Sequence, residues 1–483
     1  MLFNSLRFVV FFPVVVGLYF WLPYRWRWAM LLVASYYFYM CWRAEYALLI
    51  LFSTTIDYFV GRMMGRIAVQ SKRRNWLALS LVTNFGLLFG FKYFNFFNDS
   101  FRELFNRFNL FYDVPAFQVL LPVGISFYTF QAVSYTVDVY RGVKEPEPHF
   151  GIFALYVAFF PQLVAGPIER STHLLPQFFE KRDFDWRLAA DGLRLMLWGF
   201  FKKLVIADRL ALYVQEVFDH PGQYQGGPVW LAAYFFAIQI YCDFSGYSDI
   251  AIGSAQVLGY RLMDNFKRPY FADSIGEFWK RWHISLTTWF RDYVYIPLGG
   301  NRVALPRWQA NIVIVFLVSG LWHGANWTFV FWGALHGTYY LVSYWTAALR
   351  QVLVSVVGLT RLPNLHRIVR VLITFHLVVF AYIFFRAESI STAFVIIRDL
   401  FAPGFSWPAL HVMLTPTDLM VGCLGVVVLL VAEAFLEWDR PDRLRSLFAT
   451  GPRWFRWGFY YAAAMSILIF GKFTSNPFIY FQF

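Results

Sequence analysis

The chain has 483 residues, 59% of them hydrophobic and only 15% charged, with a mean hydropathy of +0.49. A water-soluble domain is about half apolar and a quarter charged, so a soluble globular body is excluded and one membrane-embedded domain, residues 1–483, is expected. The net charge of +13 lies in short loops between apolar runs, which reads as membrane topology and argues against nucleic acid as a partner.

A full crossing takes about 20 predominantly apolar residues. Apolar runs recur near 7–22, 28–42, 45–60, 76–91, 119–139, 151–166, 190–206, 229–252, 310–322, 327–346, 369–385, 417–436 and 457–472. Several are short, and short segments are often re-entrant or buried within protein. The expectation is an all-α polytopic membrane protein with roughly ten to twelve crossings and one or two partial ones. The first run is followed by Arg25 and Arg27 and by no small-residue cleavage site, so it is expected to remain as a span.

Loop charge orients the chain. Arg62, Arg66, Lys72, Arg73 and Arg74 follow the third run and place that loop in the cytoplasm, with the amino terminus outside. The stretch from Lys92 to Pro115 is charge-balanced and suits the opposite face. The largest polar insertion, Tyr260 to Arg307, carries Lys267, Arg268, Lys280, Arg281 and Arg291 among other bases and is expected to face the cytoplasm. Its Phe278, Trp279, Trp282, Trp289 and Phe290 read as amphipathic helices at the interface.

Familiar catalytic signatures are missing from the sequence. There is no Gly-rich nucleotide loop, no H-E-x-x-H and no G-x-S-x-G, which argues against a nucleotide-driven pump, a zinc protease and a serine hydrolase. Cys41, Cys242 and Cys423 are far apart, with no metal-ligand spacing, so neither a disulfide frame nor a metal site is expected.

Chemistry is therefore sought among polar residues within apolar runs, which are costly in lipid. His323 is the clearest, in Leu321-Trp322-His323-Gly324-Ala325-Asn326-Trp327. Gly320 and Gly324 flank it within one turn and permit close approach of backbone or substrate. A neutral imidazole in a dry tunnel can take a proton from an alcohol and return it; a packing hydrogen bond explains the residue equally well. Asn326, in the same run, is a tunnel-lining candidate. His283 lies in Phe278-Trp279-Lys280-Arg281-Trp282-His283. There Lys280 and Arg281 can hold donor phosphates and Trp279 can stack, although Trp, Lys and Arg are also ordinary interface anchors. Asp243 and Asp249 within an apolar run must face a cavity or a cation, and a helix-tying role is favoured. His336, His376, Glu433 and Arg386 are assigned no role.

These islands together resemble the membrane-bound O-acyltransferase family, in the bacterial branch that serves alginate O-acetylation and teichoic acid D-alanylation. The resemblance runs through Ser126 to Gln131, Pro161 to Ile168, Asp243 to Asp249, Glu277 to His283, Arg291 to Gly300 and Leu321 to Gly324. It implies a ring of tilted helices around a central funnel or tunnel, with re-entrant and interfacial helices and a motif-bearing core at about 119–346. It implies catalysis by His323 with His283 as the cytoplasm-facing second histidine. It further implies an acyl thioester such as acetyl-CoA as donor with no bound cofactor, and an extracytoplasmic polysaccharide as acceptor: alginate first, with cellulose, peptidoglycan or another exopolysaccharide as alternatives. The location implied is the bacterial inner membrane, with periplasmic acetyltransferase partners. The carboxyl terminus, Asn476 to Phe483, resembles the tail of the small partner of D-alanylation systems, which makes Tyr480 an acyl-relay candidate beside the simpler reading of an aromatic anchor. A lipid-linked-sugar flippase using His323 as a proton relay, or a mere scaffold, are the rivals from other classes.

Overall fold

The computed structural model describes residues 1–112, 114–117, 121–164, 166–403, 415–438, 451–473 and 478–479. Among them all regular structure is helical. In chain order the α-helices are α1 (Leu6–Trp21), α2 (Tyr24–Met40), α3 (Ala47–Arg66), α4 (Gln70–Leu88), α5 (Phe94–Arg107), α6 (Ile125–Arg141), α7 (Phe150–Ala158), α8 (Phe160–Leu163), α9 (Ser171–Leu174) and α10 (Trp186–Phe200). They continue as α11 (Asp208–Asp219), α12 (Gly227–Val257), α13 (Ile275–Arg281), α14 (Ile284–Phe290), α15 (Leu305–His323), α16 (Trp327–Trp345), α17 (Ala347–Val356), α18 (Pro363–Arg386), α19 (Ile390–Leu400), α20 (Pro416–Trp438) and α21 (Arg453–Phe470).

Among the described residues, five helical stretches are long and apolar enough to cross a membrane: Ala44–Arg66, Gln70–Arg107, Gly227–Val257, Pro363–Arg386 and Pro416–Trp438. That is fewer than the apolar runs of the sequence, for visible reasons. The run at 151–166 breaks at Phe159 into α7 and α8. The run at 190–206 widens into a π-turn, Phe201–Ala207, that carries Lys202 and Lys203. Such π-turns recur at functional sites.

One compact unit comprises Met1–Met196 with Ile250–Met263. Helices α3, α4 and α6 pack there around Asp57, which is fully buried and accepts from Ser80 at 2.5 Å and from Asn84 at 2.9 and 3.0 Å. Ser53 bonds Asn84 and Ser80 bonds Thr136. In an apolar bundle such polar links tie helices together.

The other unit comprises Leu197–Asp249 with Asp264–Phe483 and holds the candidate site. Its centre is the α15–α16 hairpin. A Cβ on Gly320 would lie 2.2 Å from the Phe329 carbonyl oxygen, and one on Gly333 2.3 Å from that of Phe316. Backbone-to-backbone packing of this kind needs residues without side chains. A Cβ on Gly324 would meet the Phe329 ring at 2.1 Å, so the close approach foreseen from Gly320 and Gly324 is used by the hairpin itself. The short helices α13 and α14 turn Phe278, Trp279, Trp282, Trp289 and Phe290 into the protein, where all are buried.

Candidate active site

His323 is the last residue of α15 and is 2% exposed. The chain then extends through Gly324 to Asn326, whose side chain accepts from the Thr328 N–H at 3.0 Å and so starts α16. Asn326 also donates to the Glu388 carbonyl at 2.8 Å, and its visible work is that of a helix cap. The His323 imidazole meets the rings of Trp322, Trp332 and Phe385 with centroids at 5.1, 4.9 and 5.5 Å, each edge-on. The imidazole is thus enclosed by aromatic rings.

His283 is set by a different device. Ser274 caps α13 by accepting from the Glu277 N–H, and α13 ends at Arg281. The chain reverses at His283 with φ +43° and ψ 55°, the left-handed region that costs a non-glycine residue about 1 kcal/mol or more. Asn265 holds this conformation. Its carbonyl accepts from the Ile284 N–H at 2.9 Å, and its side-chain oxygen lies 3.0 Å from His283 Nδ1 and accepts from the Ser285 hydroxyl at 2.9 Å. The Ser285 backbone N–H also donates to that oxygen, at 3.4 Å, which fixes the orientation of the amide. An amide oxygen only accepts, so Nδ1 of His283 carries the proton and Nε2 is the basic nitrogen. The ring is fully buried, and burial pushes its pKa down to about 3. Phe244 packs edge-on against it at 4.6 Å and Trp322 at 6.0 Å.

The two histidines nominated from sequence are thus brought to one place, both in ring contact with Trp322. The other nominees divide. Trp279 is buried and donates its indole N–H to Nδ1 of His336 at 3.3 Å. Arg281 is engaged by Glu277 at 2.5 Å and by Glu437 at 2.9 Å, and Glu437 also binds Arg268 and Arg367. Its fork is therefore committed to carboxylates of the protein, whereas Lys280 is exposed. Tyr480 lies outside the described residues.

Asp243 lies in a network of buried ion pairs. It pairs with Lys203 at 2.6 Å, and Lys203 reaches Asp208 at 3.0 Å. Lys202 pairs with Asp249 at 2.7 Å and donates to Ser245 at 2.8 Å. The Ile479 N–H donates to Asp243 at 2.8 Å, and Phe478 packs on Tyr247 and Phe244 at 4.6 and 5.4 Å. The same short segment of α12 therefore anchors residues 478–479 and supports His283 through Phe244. Neither lysine was nominated from sequence. Two lysines in one apolar run and two aspartates in the next were the available signal.

His336 was assigned no role either, yet it lies in the same ring cluster, with Trp332 at 4.9 Å and Trp279 at 5.0 Å. Its spacing of four residues from Trp332 puts both on one helix face, a pattern legible in the sequence once Trp332 is known to touch His323. Among the described residues, no group of three His, Cys, Asp or Glu side chains is arranged to hold a metal ion.

Comparison with known proteins bears on this arrangement. Residues 144–386 match the model of the membrane-bound O-acyltransferase family. The chain is 40% identical over 437 residues to a probable alginate O-acetylase of Pseudomonas aeruginosa, covering 89% of this chain and 81% of the relative. It is 35% identical over 397 residues to a peptidoglycan O-acetyltransferase of Helicobacter pylori, with 77% and 73% covered. A teichoic acid D-alanyltransferase of Streptococcus thermophilus is 30% identical over 228 residues, with 44% and 55% covered. The chain with these two buried histidines belongs to the membrane-bound O-acyltransferase family and is a membrane-embedded O-acyltransferase.

Proposed function

We propose that the chain moves an acetyl group from a cytoplasmic thioester, acetyl-CoA, to a hydroxyl on an extracytoplasmic polysaccharide, with His323 as general base. The observation that carries this reading is the pair of buried imidazoles that both contact Trp322, because acyl transfer needs a neutral base in a dry site. In the step, the acceptor oxygen bonds to the acyl carbon while its proton passes to His323. The carbon–sulfur bond then breaks, and the proton is returned to the departing thiolate. His283, with its tautomer set by Asn265, assists on the donor side, where exposed Lys280 attracts phosphates.

Alginate is the proposed polymer, because relatives at about 40% identity over most of the chain carry that activity in their names; peptidoglycan is the second reading, from the H. pylori relative. Residues 1–483 act as one domain in the bacterial inner membrane, with its core at about 119–346, and periplasmic acetyltransferase partners assist delivery to the polymer. Tyr480 is proposed as the relay in that delivery, and an acyl adduct on the C-terminal peptide under turnover is the mass-spectrometric sign of it.

The test is complementation of a deletion strain with His323→Ala at matched protein level. Secreted polymer without acetyl esters and in normal amount supports the reading. Full acetylation sinks it, and loss of export as well would point to a transporter.

A further inference from the structure

His336 is completely buried on α16. Its Nδ1 accepts the indole N–H of Trp279. An indole nitrogen only donates, so Nδ1 is unprotonated and the neutral ring bears its proton on Nε2. That Nε2–H has no hydrogen-bond partner among the described residues. Four residues earlier on the same helix, Trp332 is 1% exposed, and its Nε1–H has no partner among them either. The two rings lie 4.9 Å apart, and Trp332 is in turn 4.9 Å from His323.

A buried donor left unsatisfied costs its full desolvation, and native interiors hold few of them. Here two stand on successive turns of one helix, beside the candidate base, within walls formed by Phe278, Phe316 and Phe385. Such a pair awaits an acceptor oxygen that comes and goes.

We propose that Trp332 Nε1–H and His336 Nε2–H bind the carbonyl oxygen of the transferred acyl group and carry its negative charge in the tetrahedral intermediate. The assignment rests on His323 as the base. As the acceptor oxygen bonds to the acyl carbon, the carbonyl electron pair moves onto oxygen and is held by the two N–H groups. The acceptor's proton goes to His323. Collapse re-forms the carbonyl, breaks the carbon–sulfur bond and returns the proton to sulfur, and both donors keep their own protons throughout. In a water-excluded site, fixed donors of this kind act mostly on the transition state.

Steady-state kinetics on the full chain in nanodiscs, with acetyl-CoA and an oligosaccharide acceptor, test the assignment. Trp332→Phe and His336→Phe each remove one donor and keep a ring. Each is expected to lower kcat by about a hundredfold or more, with KM for acetyl-CoA nearly unchanged; thermal stability stays close to the parent in Trp332→Phe and falls in His336→Phe, which leaves the Trp279 N–H without its acceptor. His336→Gln, which places an amide N–H near the lost one, is expected to recover part of kcat. Full kcat in both Phe variants overturns the assignment, as does a loss confined to KM or one that His336→Gln fails to relieve. If His323→Ala is inactive while both Phe variants turn over normally, only this assignment falls. If His323→Ala is itself active, the reading beneath it falls first.

Discussion

Asn265 and His283 are joined by a 3.0 Å contact that decides which imidazole nitrogen holds the proton. Asn265→Ala should free the tautomer and loosen the left-handed turn, lowering kcat on the order of ten- to a hundredfold, as loss of an orienting partner does elsewhere. Asn265→Asp should act differently. A carboxylate beside Nδ1 raises the pKa of His283 toward neutrality, so activity in that variant should fall as pH drops from about 8 to 6. A pH profile as flat as the parent's in Asn265→Asp would contradict this geometry.

Burial holds the native pKa of His283 near 3, against about 6.5 in an unfolded chain. Between those values the unfolded state binds a proton that the native state does not. Stability therefore rises with pH across that window, and below about pH 6.5 it is progressively lost toward pH 3. Thermal unfolding in detergent at pH 4.5 and 7.5 should show the difference, and His283→Gln should reduce it. An unchanged pH slope in that variant would assign the acid sensitivity elsewhere.

The α15–α16 hairpin is the most demanding packing near the site. Gly320→Ala and Gly333→Ala each put a Cβ against a backbone carbonyl at 2.2–2.3 Å. Each should cost about 1–3 kcal/mol, the usual range for overpacking, and displace His323 enough to lose most activity. Gly86→Ala is the control, since a Cβ there meets nothing within 4 Å and alanine favours the helix. Equal melting temperatures for all three would refute the packing argument.

Lys203 neutralises two buried carboxylates, Asp243 and Asp208. Lys203→Met leaves both uncompensated, which should destabilise the protein by about 3–5 kcal/mol. Adding Asp243→Asn to Lys203→Met should restore part of the loss, because the unpaired charge has gone. The measurement is the melting temperature of the single and double variants; an undamaged single variant would show that the cluster is dispensable.

Composition alone was enough to identify an all-helical membrane body, because 15% charge cannot clothe a soluble surface. His323 was singled out for a related reason, as an ionisable group in an apolar run, and His283 for the basic and aromatic residues around it. Their partners were not. Asn265, Lys203 and the α16 pair Trp332 and His336 come from three separated segments, and only folding reveals which buried polar group meets which. The interruptions of two runs were not legible, because an apolar run does not announce a π-turn or a break such as those at 201–207 and Phe159. Arg281 looked available for a phosphate because Glu437, its carboxylate partner, is 156 residues away in sequence.

The left-handed backbone at His283 has a consequence for the life of the molecule before it is active. A peptide spanning α13 and α14 would not adopt that conformation by itself, since nothing local repays it. It is held by Asn265, and Asn265 is held in turn by Ser248 of α12 at 3.0 Å. The second histidine is therefore in place only once these segments have met. A chain still threading into the bilayer, with α12 and the residue 265 segment not yet together, lacks this arrangement of His283 altogether.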